Sequence, residues 1–247
     1  MQCVWIEFPV VVNGQTLHLD ACGAAWWPAA RTLVFADLHF EKGSSYARGG
    51  QFLPPYDTRA TLLRMAQAVA RYNPARIIAL GDSFHDAGAA DRLEDADRAA
   101  LAAMAGASDF IWIAGNHDPH PPAWLGGRVM AEWREAGLAF RHQPRGDEPG
   151  EIAGHLHPCA RVSKWGRSVR RRCFAADGRR MILPSFGAYT GGLDVGDDAI
   201  ATLFAGAFHA YMLGAERVYA IPHQTGRRKI TDDIQPISRA ISTAARP

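Results

Sequence analysis

Short apolar runs alternate with amphipathic stretches through the first half of the chain, and each run stops at a polar cluster. Leu33-Val34-Phe35-Ala36 stops at Asp37, Arg76-Ile77-Ile78-Ala79-Leu80 at Gly81-Asp82, and Phe110-Ile111-Trp112-Ile113-Ala114 at Gly115-Asn116. Short runs rich in β-branched and aromatic residues predict strands buried on both faces. Between them, residues 58–72 repeat Leu62, Met65, Ala66 and Val69 on one helical face. Asp57 or Thr58 can cap that helix, and Asn73-Pro74 ends it. The alanine-rich residues 91–105 predict a second helix. The order strand–helix–strand–helix–strand predicts parallel strands joined by crossovers.

Outside this region the pattern shifts. Residues 4–20 predict a hairpin about Asn13-Gly14, and the glycine-, serine- and proline-rich residues 43–55 predict a loop. In the second half, residues 138–142, 151–153, 169–175, 180–183 and 217–221 predict short strands, and 203–213 a late helix. Neither an internal repeat nor a linker interrupts the chain. One domain is expected over residues 1–235, with a polar, alanine-rich tail over 236–247. The expected class is α/β.

Composition alters this picture little. A chain of 247 residues suffices for one large α/β domain, and a formal net charge of +2 favours no class of partner. The four cysteines, Cys3, Cys22, Cys159 and Cys173, form no CxxC pair. They predict free thiols in a reducing cytoplasm rather than a disulfide framework. No stretch approaches the ~18 apolar residues of a membrane span, so no membrane partner is expected.

The polar clusters carry the chemistry. Asp37-Leu38-His39, Gly81-Asp82, Gly115-Asn116-His117-Asp118 and Gly154-His155-Leu156-His157 occur in that order. Strand ends are where an α/β protein gathers its active-site groups. Carboxylate, carboxamide and imidazole are ligands for divalent metals, and there are too many here for one ion. Two ions can hold a bridging hydroxide and clamp a phosphoryl group for in-line displacement, which points to phosphate-ester hydrolysis. Asp82 is the candidate bridging carboxylate. Asp37 and His39 can reach one ion together, His155 and His157 can give one imidazole to each ion, and Asn116 offers a neutral oxygen. One more ligand is needed between the third and fourth clusters. His120 and His142 are the choices, and the strand-end position of His142 favours it. Each motif alone is compatible with a capped turn or a solvated face, but six of the ten histidines (39, 85, 117, 142, 155 and 157) lie in or beside these motifs.

This ordered set resembles the calcineurin-like metallophosphoesterase superfamily. The resemblance implies a four-layer α/β/β/α sandwich with two mixed β-sheets. It implies one ion held by Asp37, His39, Asp82 and His157, and another by Asp82, Asn116, His142 and His155. His117 is implied to bind no metal and to act beside the phosphate as a charge stabiliser or general acid, with Asp118 orienting it. A ligated ring nitrogen cannot donate a proton, so that division is chemically sound.

Gly81-Asp82-Ser83-Phe84-His85 resembles the form found in double-strand-break repair nucleases of the superfamily, which implies that His85 reaches the scissile phosphate. Asp37 to Gly43, the loop from Arg48-Gly49-Gly50 to Leu53-Pro54-Pro55, and Pro184 to Gly192 resemble the ligase-associated DNA damage response endonucleases. That branch implies a manganese-dependent phosphodiesterase nicking DNA, preferably single-stranded, alongside a DNA ligase, a helicase and an exonuclease-like protein. The ligand set also suits iron or zinc. Arg161, Lys164, Arg167, Arg170, Arg171 and Arg172 crowd around Trp165 directly after the last metal motif. Such a cluster suits a polyanion, and an exposed indole suits stacking on a base. Lys164, Arg167, Arg170 and Arg48 are the candidate DNA contacts, and Arg227-Arg228-Lys229 can extend the same surface. The rival readings are an enzyme acting on cyclic nucleotides or nucleotide diphosphates, and a binding scaffold that has lost catalysis. The complete motif set disfavours the scaffold.

Overall fold

Asn13 and Gly14 both take positive φ, 47° and 80°. The two-residue turn they form lets β1 (Phe8–Val12) pair directly with β2 (Gln15–Leu19). The structure, a computed structural model, describes residues 7–54 and 56–224. The start of the predicted first strand (4–6), Cys3, Arg227-Arg228-Lys229 and the tail 236–247 lie outside the described residues.

The first sheet continues through β3 (Ala25–Trp27), β4 (Thr32–Phe35), β5 (Arg76–Leu80), β6 (Asp109–Ile113) and β7 (Arg128–Met130), in chain order. Pairing is antiparallel as far as β4 and parallel from there on. Helices α1 (Lys42–Arg48) and α2 (Asp57–Tyr72) lie between β4 and β5, and α3 (Ala89–Arg92) and α4 (Asp95–Gly106) between β5 and β6. The second sheet contains β8 (Glu132–Glu135), β9 (Leu138–Arg141), β10 (Glu151–Ala153), β11 (Cys159–Lys164), β12 (Arg167–Ala176), β13 (Arg180–Ile182), β14 (Ala207–Leu213) and β15 (Val218–Gln224). Its order is β15-β14-β12-β13-β10-β9-β8, with β11 paired to β12 alone. Strand β10 runs parallel to both neighbours, and the other pairs are antiparallel.

Three apolar clusters order the layers. Val34, Ile78, Leu80, Ile111 and Ile113 meet Phe140, Ile152, Phe174 and Leu183 between the two sheets. The alternate residues Leu33, Phe35, Ile77, Ala79, Phe110 and Trp112 pack on Leu62, Met65 and Leu101 of the helices. Period-two alternation therefore explains why β4, β5 and β6 are apolar almost throughout: both faces are covered. On the far side, Ala175, Phe208, Ala210 and Met212 pack against Ile200 of α5 (Asp198–Ala201) and Phe204. The result is the expected α/β/β/α layering, with a thin outer layer on the second sheet. No helix among the described residues is long and apolar enough to cross a membrane.

Two expectations need correction. The predicted loop over 43–55 begins as helix α1. Gly43 is buried and donates its backbone N–H to the Asp57 carboxylate at 3.0 Å, a tertiary anchor that outweighs the poor helix propensity of glycine and serine. The predicted helix over 203–213 is instead largely strand β14. Phe208, Ala210 and Met212 face the outer cluster while Tyr211 and Leu213 face the inner one, so the period is two.

Candidate metal centre

The parallel strands deliver the first three motifs to one edge of the sandwich, and β9 and β10 of the second sheet deliver the rest. Asp37 follows β4, Asp82 follows β5, Asn116 follows β6, His142 follows β9 directly, and His155 and His157 follow β10. The crossing from strand to loop is abrupt. Asp37, His39, Asp82, His155 and His157 account for five of the eleven non-glycine residues with positive φ among the described residues. Such backbone is costly for non-glycine residues and tends to concentrate at functional sites. Gly81 is required by contact as well as by its φ of 69°, because a Cβ there would lie 2.6 Å from the His142 ring.

Asp37 and Asp82 each use one carboxylate oxygen to tie motifs together. Asp37 Oδ2 accepts from the His155 backbone N–H at 2.9 Å, and Asp82 Oδ1 accepts from that of His117 at 2.9 Å. Their other oxygens face imidazoles. Asp37 Oδ1 is 3.2 Å from His157 Nε2, and Asp82 Oδ2 is 3.4 Å from His142 Nε2. Two groups result, Asp37–His39–His157 and Asp82–His142–His155, each with ligand atoms within 4.8 Å of one another.

The donor set fits a pair of cations. His142 Nδ1 lies 2.9 Å from the Leu80 carbonyl, so it carries the proton and leaves the Nε2 lone pair facing inward. Around that nitrogen stand Asn116 Oδ1 at 2.8 Å and His155 Nδ1 at 3.1 Å. In the other group His39 Nε2 and His157 Nε2 are 3.4 Å apart. Asp37 Oδ1 is buried with no hydrogen-bond donor. Acceptors converging in this way need positive charge among them. Burial works against protonation of His142, yet its hydrogen bond to Asp82 and the charges of Asp37 and Asp82 raise it to about 9. Burial, then the neighbouring His157, pushes His39 the other way, keeping it a neutral imidazole. The structure brings the expected ligands together, with Asn116 beside the second group at His142, but Asp82, expected in both sets, falls in the second group alone. His120 is exposed and belongs to neither group.

His117 and His85 stand beside the clusters. Their rings stack at 5.4 Å with 16° between planes, and each ring centroid lies 5.4 Å from that of His39. His117 Nδ1 lies 2.8 Å from the His85 carbonyl, which orients the ring. Asp118 makes a different contact. Its buried carboxylate accepts from the backbone N–H groups of Ser83 at 2.8 Å and Phe84 at 3.1 Å. Burial raises Asp118 to about 7, with the charge of Asp82 adding to the effect. Burial also lowers His85, helped by the charges of Lys42 and His117.

Sequence reasoning passed over Tyr46 and Lys42 on α1. Tyr46 stacks on His85 at 6.0 Å and 26°, and Lys42 is lowered by burial. Their signal was the missed helix. Arg48 lies exposed at the end of α1. Lys164, Arg167 and Arg170 are brought together on the β11–β12 hairpin. The predicted glycine string packs on the metal motifs, since a Cβ on Gly192 would lie 1.9 Å from the His157 carbonyl.

The family model for calcineurin-like phosphoesterases matches residues 30–201. A search of curated proteins found no match. Among solved structures, Pseudomonas putida nuclease MPE is similar with a TM-score of 0.68 and 33% identity, covering 87% of this chain and 100% of that one. Yfce, a phosphoesterase from E. coli, matches at a TM-score of 0.39 and 13% identity over 79% of this chain and 99% of that one, too weak a likeness to bear further weight. The span of the family match contains every motif from Asp37 to His157, and the chain belongs to the calcineurin-like phosphoesterase family.

Proposed function

We propose that this chain is a two-metal phosphodiesterase that cuts DNA, with Asp82 shared between the ions. The observation that carries the reaction class is the pair of adjacent ligand groups, Asp37–His39–His157 and Asp82–His142–His155, with Asn116 beside the second. Divalent ions bound there would supply Lewis-acid neutralisation of phosphoryl charge and lower the pKa of bound water. The chain itself holds the leaving side. With Nδ1 committed to the His85 carbonyl, a protonated His117 has Nε2–H free to donate to the departing alkoxide. His117 is accessible for this, its side chain being 42% exposed. Asp118 fixes the backbone following Asp82, and so holds the shared ligand in place. His85 packs on the His117 ring and would approach the phosphate from the same side.

Likeness to a nuclease supports a nucleic-acid substrate, and the cationic hairpin beside the last metal motif supports it independently. The mixed oxygen and nitrogen ligands suit manganese, with iron or zinc as alternatives. Resemblance of the Asp37–Gly43 and Pro184–Gly192 strings to the ligase-associated branch supports a role in DNA repair, near a DNA ligase, a helicase and an exonuclease-like protein. The free Cys22, Cys159 and Cys173 suit the reducing cytoplasm.

The test is a manganese-dependent assay on single-stranded DNA, duplex DNA and a cyclic nucleotide. Nicking of DNA, lost in His117→Ala while manganese binding persists, is expected. Efficient cleavage of the cyclic nucleotide with no nicking of either DNA would overturn the DNA reading.

A further inference from the structure

The β11–β12 hairpin outgrows its sheet. Cys173 to Ala176 of β12 pair with β14, but residues 160–164 and 167–171 pair only with each other. The arm carries Arg161, Lys164, Arg167, Arg170 and Arg171 and no acidic residue. Among the described residues, none of these five cations forms an ion pair with a carboxylate. Its root is tied to the metal motifs. Arg172 donates to the Ser185 and Gly187 carbonyls at 2.8 and 3.0 Å, and Arg170 donates to the carbonyl of Gly192, which packs on His157.

The tip is a two-residue turn of Trp165 and Gly166, with φ of 50° and 74°. Turns with two positive φ values favour asparagine, aspartate or glycine at the first position. An indole there costs ~1 kcal/mol of backbone strain. Burial does not compensate, because Trp165 is 89% exposed. Neither turn chemistry nor packing accounts for a tryptophan at this position. The Lys164 ammonium lies 4.5 Å from the ring centroid.

We infer that this arm is a second nucleic-acid contact, separate from the metal centre: its cations follow backbone phosphates, and Trp165 stacks on an unpaired base. The inference rests on the proposed DNA substrate and assigns the element that senses an unpaired strand. From Arg161 to Trp165 the arm spans ~14 Å. That covers about four phosphates at the ~3.4 Å axial spacing of one strand, and fewer in an extended strand. An indole stacks on any exposed base but finds none in an intact duplex.

The test is Trp165→Asn, which supplies the residue preferred in this turn. Binding to a fluorescein-labelled 12-nucleotide oligothymidine is read by anisotropy with manganese present, in a His117→Ala background so that the oligonucleotide survives. Stacking is worth ~1–3 kcal/mol per base, so affinity should fall by ~5- to 150-fold. The Tm should hold or rise, duplex affinity should change less than single-strand affinity, and Trp165→Tyr should restore binding. In Lys164→Gln/Arg167→Gln the salt dependence of single-strand binding should lose a slope of ~1.4. Equal oligothymidine affinity in wild type and Trp165→Asn would overturn the stacking role, even if the variant lost affinity for anionic vesicles. If Trp165→Asn lowers the Tm, the salt slope decides, and an unchanged slope would overturn the arm as a contact. Wild-type protein that hydrolyses bis(p-nitrophenyl) phosphate but neither binds nor nicks DNA would instead refute the DNA reading itself.

Discussion

Asp118→Asn gives a sharp test of how the centre is held together. The Asp118 carboxyl is raised to about 7, against ~3.9 in an unfolded chain. Burial is the main cause, and the nearby Asp82 charge adds to it. The crowding is visible at Gly115, where a Cβ would lie 2.3 Å from Asp82 Oδ1 and 2.5 Å from Asp118 Oδ1. Asp118 Oδ1 itself has no hydrogen-bond partner. In chelated protein the folded state therefore keeps a proton that the unfolded state releases from pH ~4 upwards. The stability this represents is complete below pH ~4 and is lost as pH rises towards 7. Three pKa units set an upper limit of ~4 kcal/mol. Asparagine cannot ionise, and its carbonyl can still accept from Ser83 and Phe84. Urea melts of both proteins in EDTA, from pH 4.5 to 7.5, should show the variant gaining on wild type by ~2–4 kcal/mol and levelling off above 7. Titrating groups remote from Asp118 are common to both proteins and cancel in the difference. Manganese should shrink the slope, because adjacent cations favour the carboxylate. A stability difference that stays flat across this range would refute the account.

Metal loading should raise the thermal stability of the wild type, by ~2.7 kcal/mol at a metal concentration 100 times the Kd. Asp82→Asn keeps an acceptor for the His117 N–H but loses the shared charge, so it should lose most of that shift and the turnover; a wild-type shift in the variant would remove Asp82 from the centre. Arg141 pairs at 3.0 Å with Glu151, a fully buried carboxylate, and at 2.6 Å with Glu132. Arg141→Met leaves Glu151 with Arg180 at 3.6 Å and the backbone N–H groups of Arg145 and Gly146, so it should cost ~1.5–3 kcal/mol in urea unfolding, with a loss below ~1 kcal/mol counting against the pair.

The strands that build the centre were legible because their signal is local. β4, β5 and β6 are covered on both faces, so each reads as an unbroken apolar run, and the polar residue just beyond the run is the candidate ligand itself. β14 misled for a related reason. Its neighbours Leu203 and Phe204 belong to the outer cluster without belonging to the strand. Counted together with Phe208, Tyr211 and Met212 they mimic a helical face, and only the two sheet faces reveal the period of two. β3, β7 and β8 are only three or four residues long and carry too little pattern to announce a strand, even though β3 and β8 pair with their neighbours in the chain. Helix α1 depends on Asp57, fourteen residues away from Gly43, so its own serines and glycines argue against it.

The same distinction separates what was readable within the site. The candidate ligands are recoverable from spacing because each sits just beyond a strand or a turn further on. Asp118 is different. Its place beside His117 in the chain suggests a contact with that ring, but the peptide directs the carboxylate to Ser83 and Phe84, while the His85 carbonyl accepts a hydrogen bond from His117 Nδ1. Adjacent residues leaving a strand end point apart, so chain proximity is a poor guide to contact there. The connection still runs between the two motifs, in the opposite sense: the third motif's aspartate braces the loop of the second, and the second motif's histidine orients the third's. Each of the two loops thus depends on the other. Substitutions at Asp118 and His85 should consequently couple through that shared frame, and their combined effect on turnover should depart from the sum of the single effects by more than 0.5 kcal/mol.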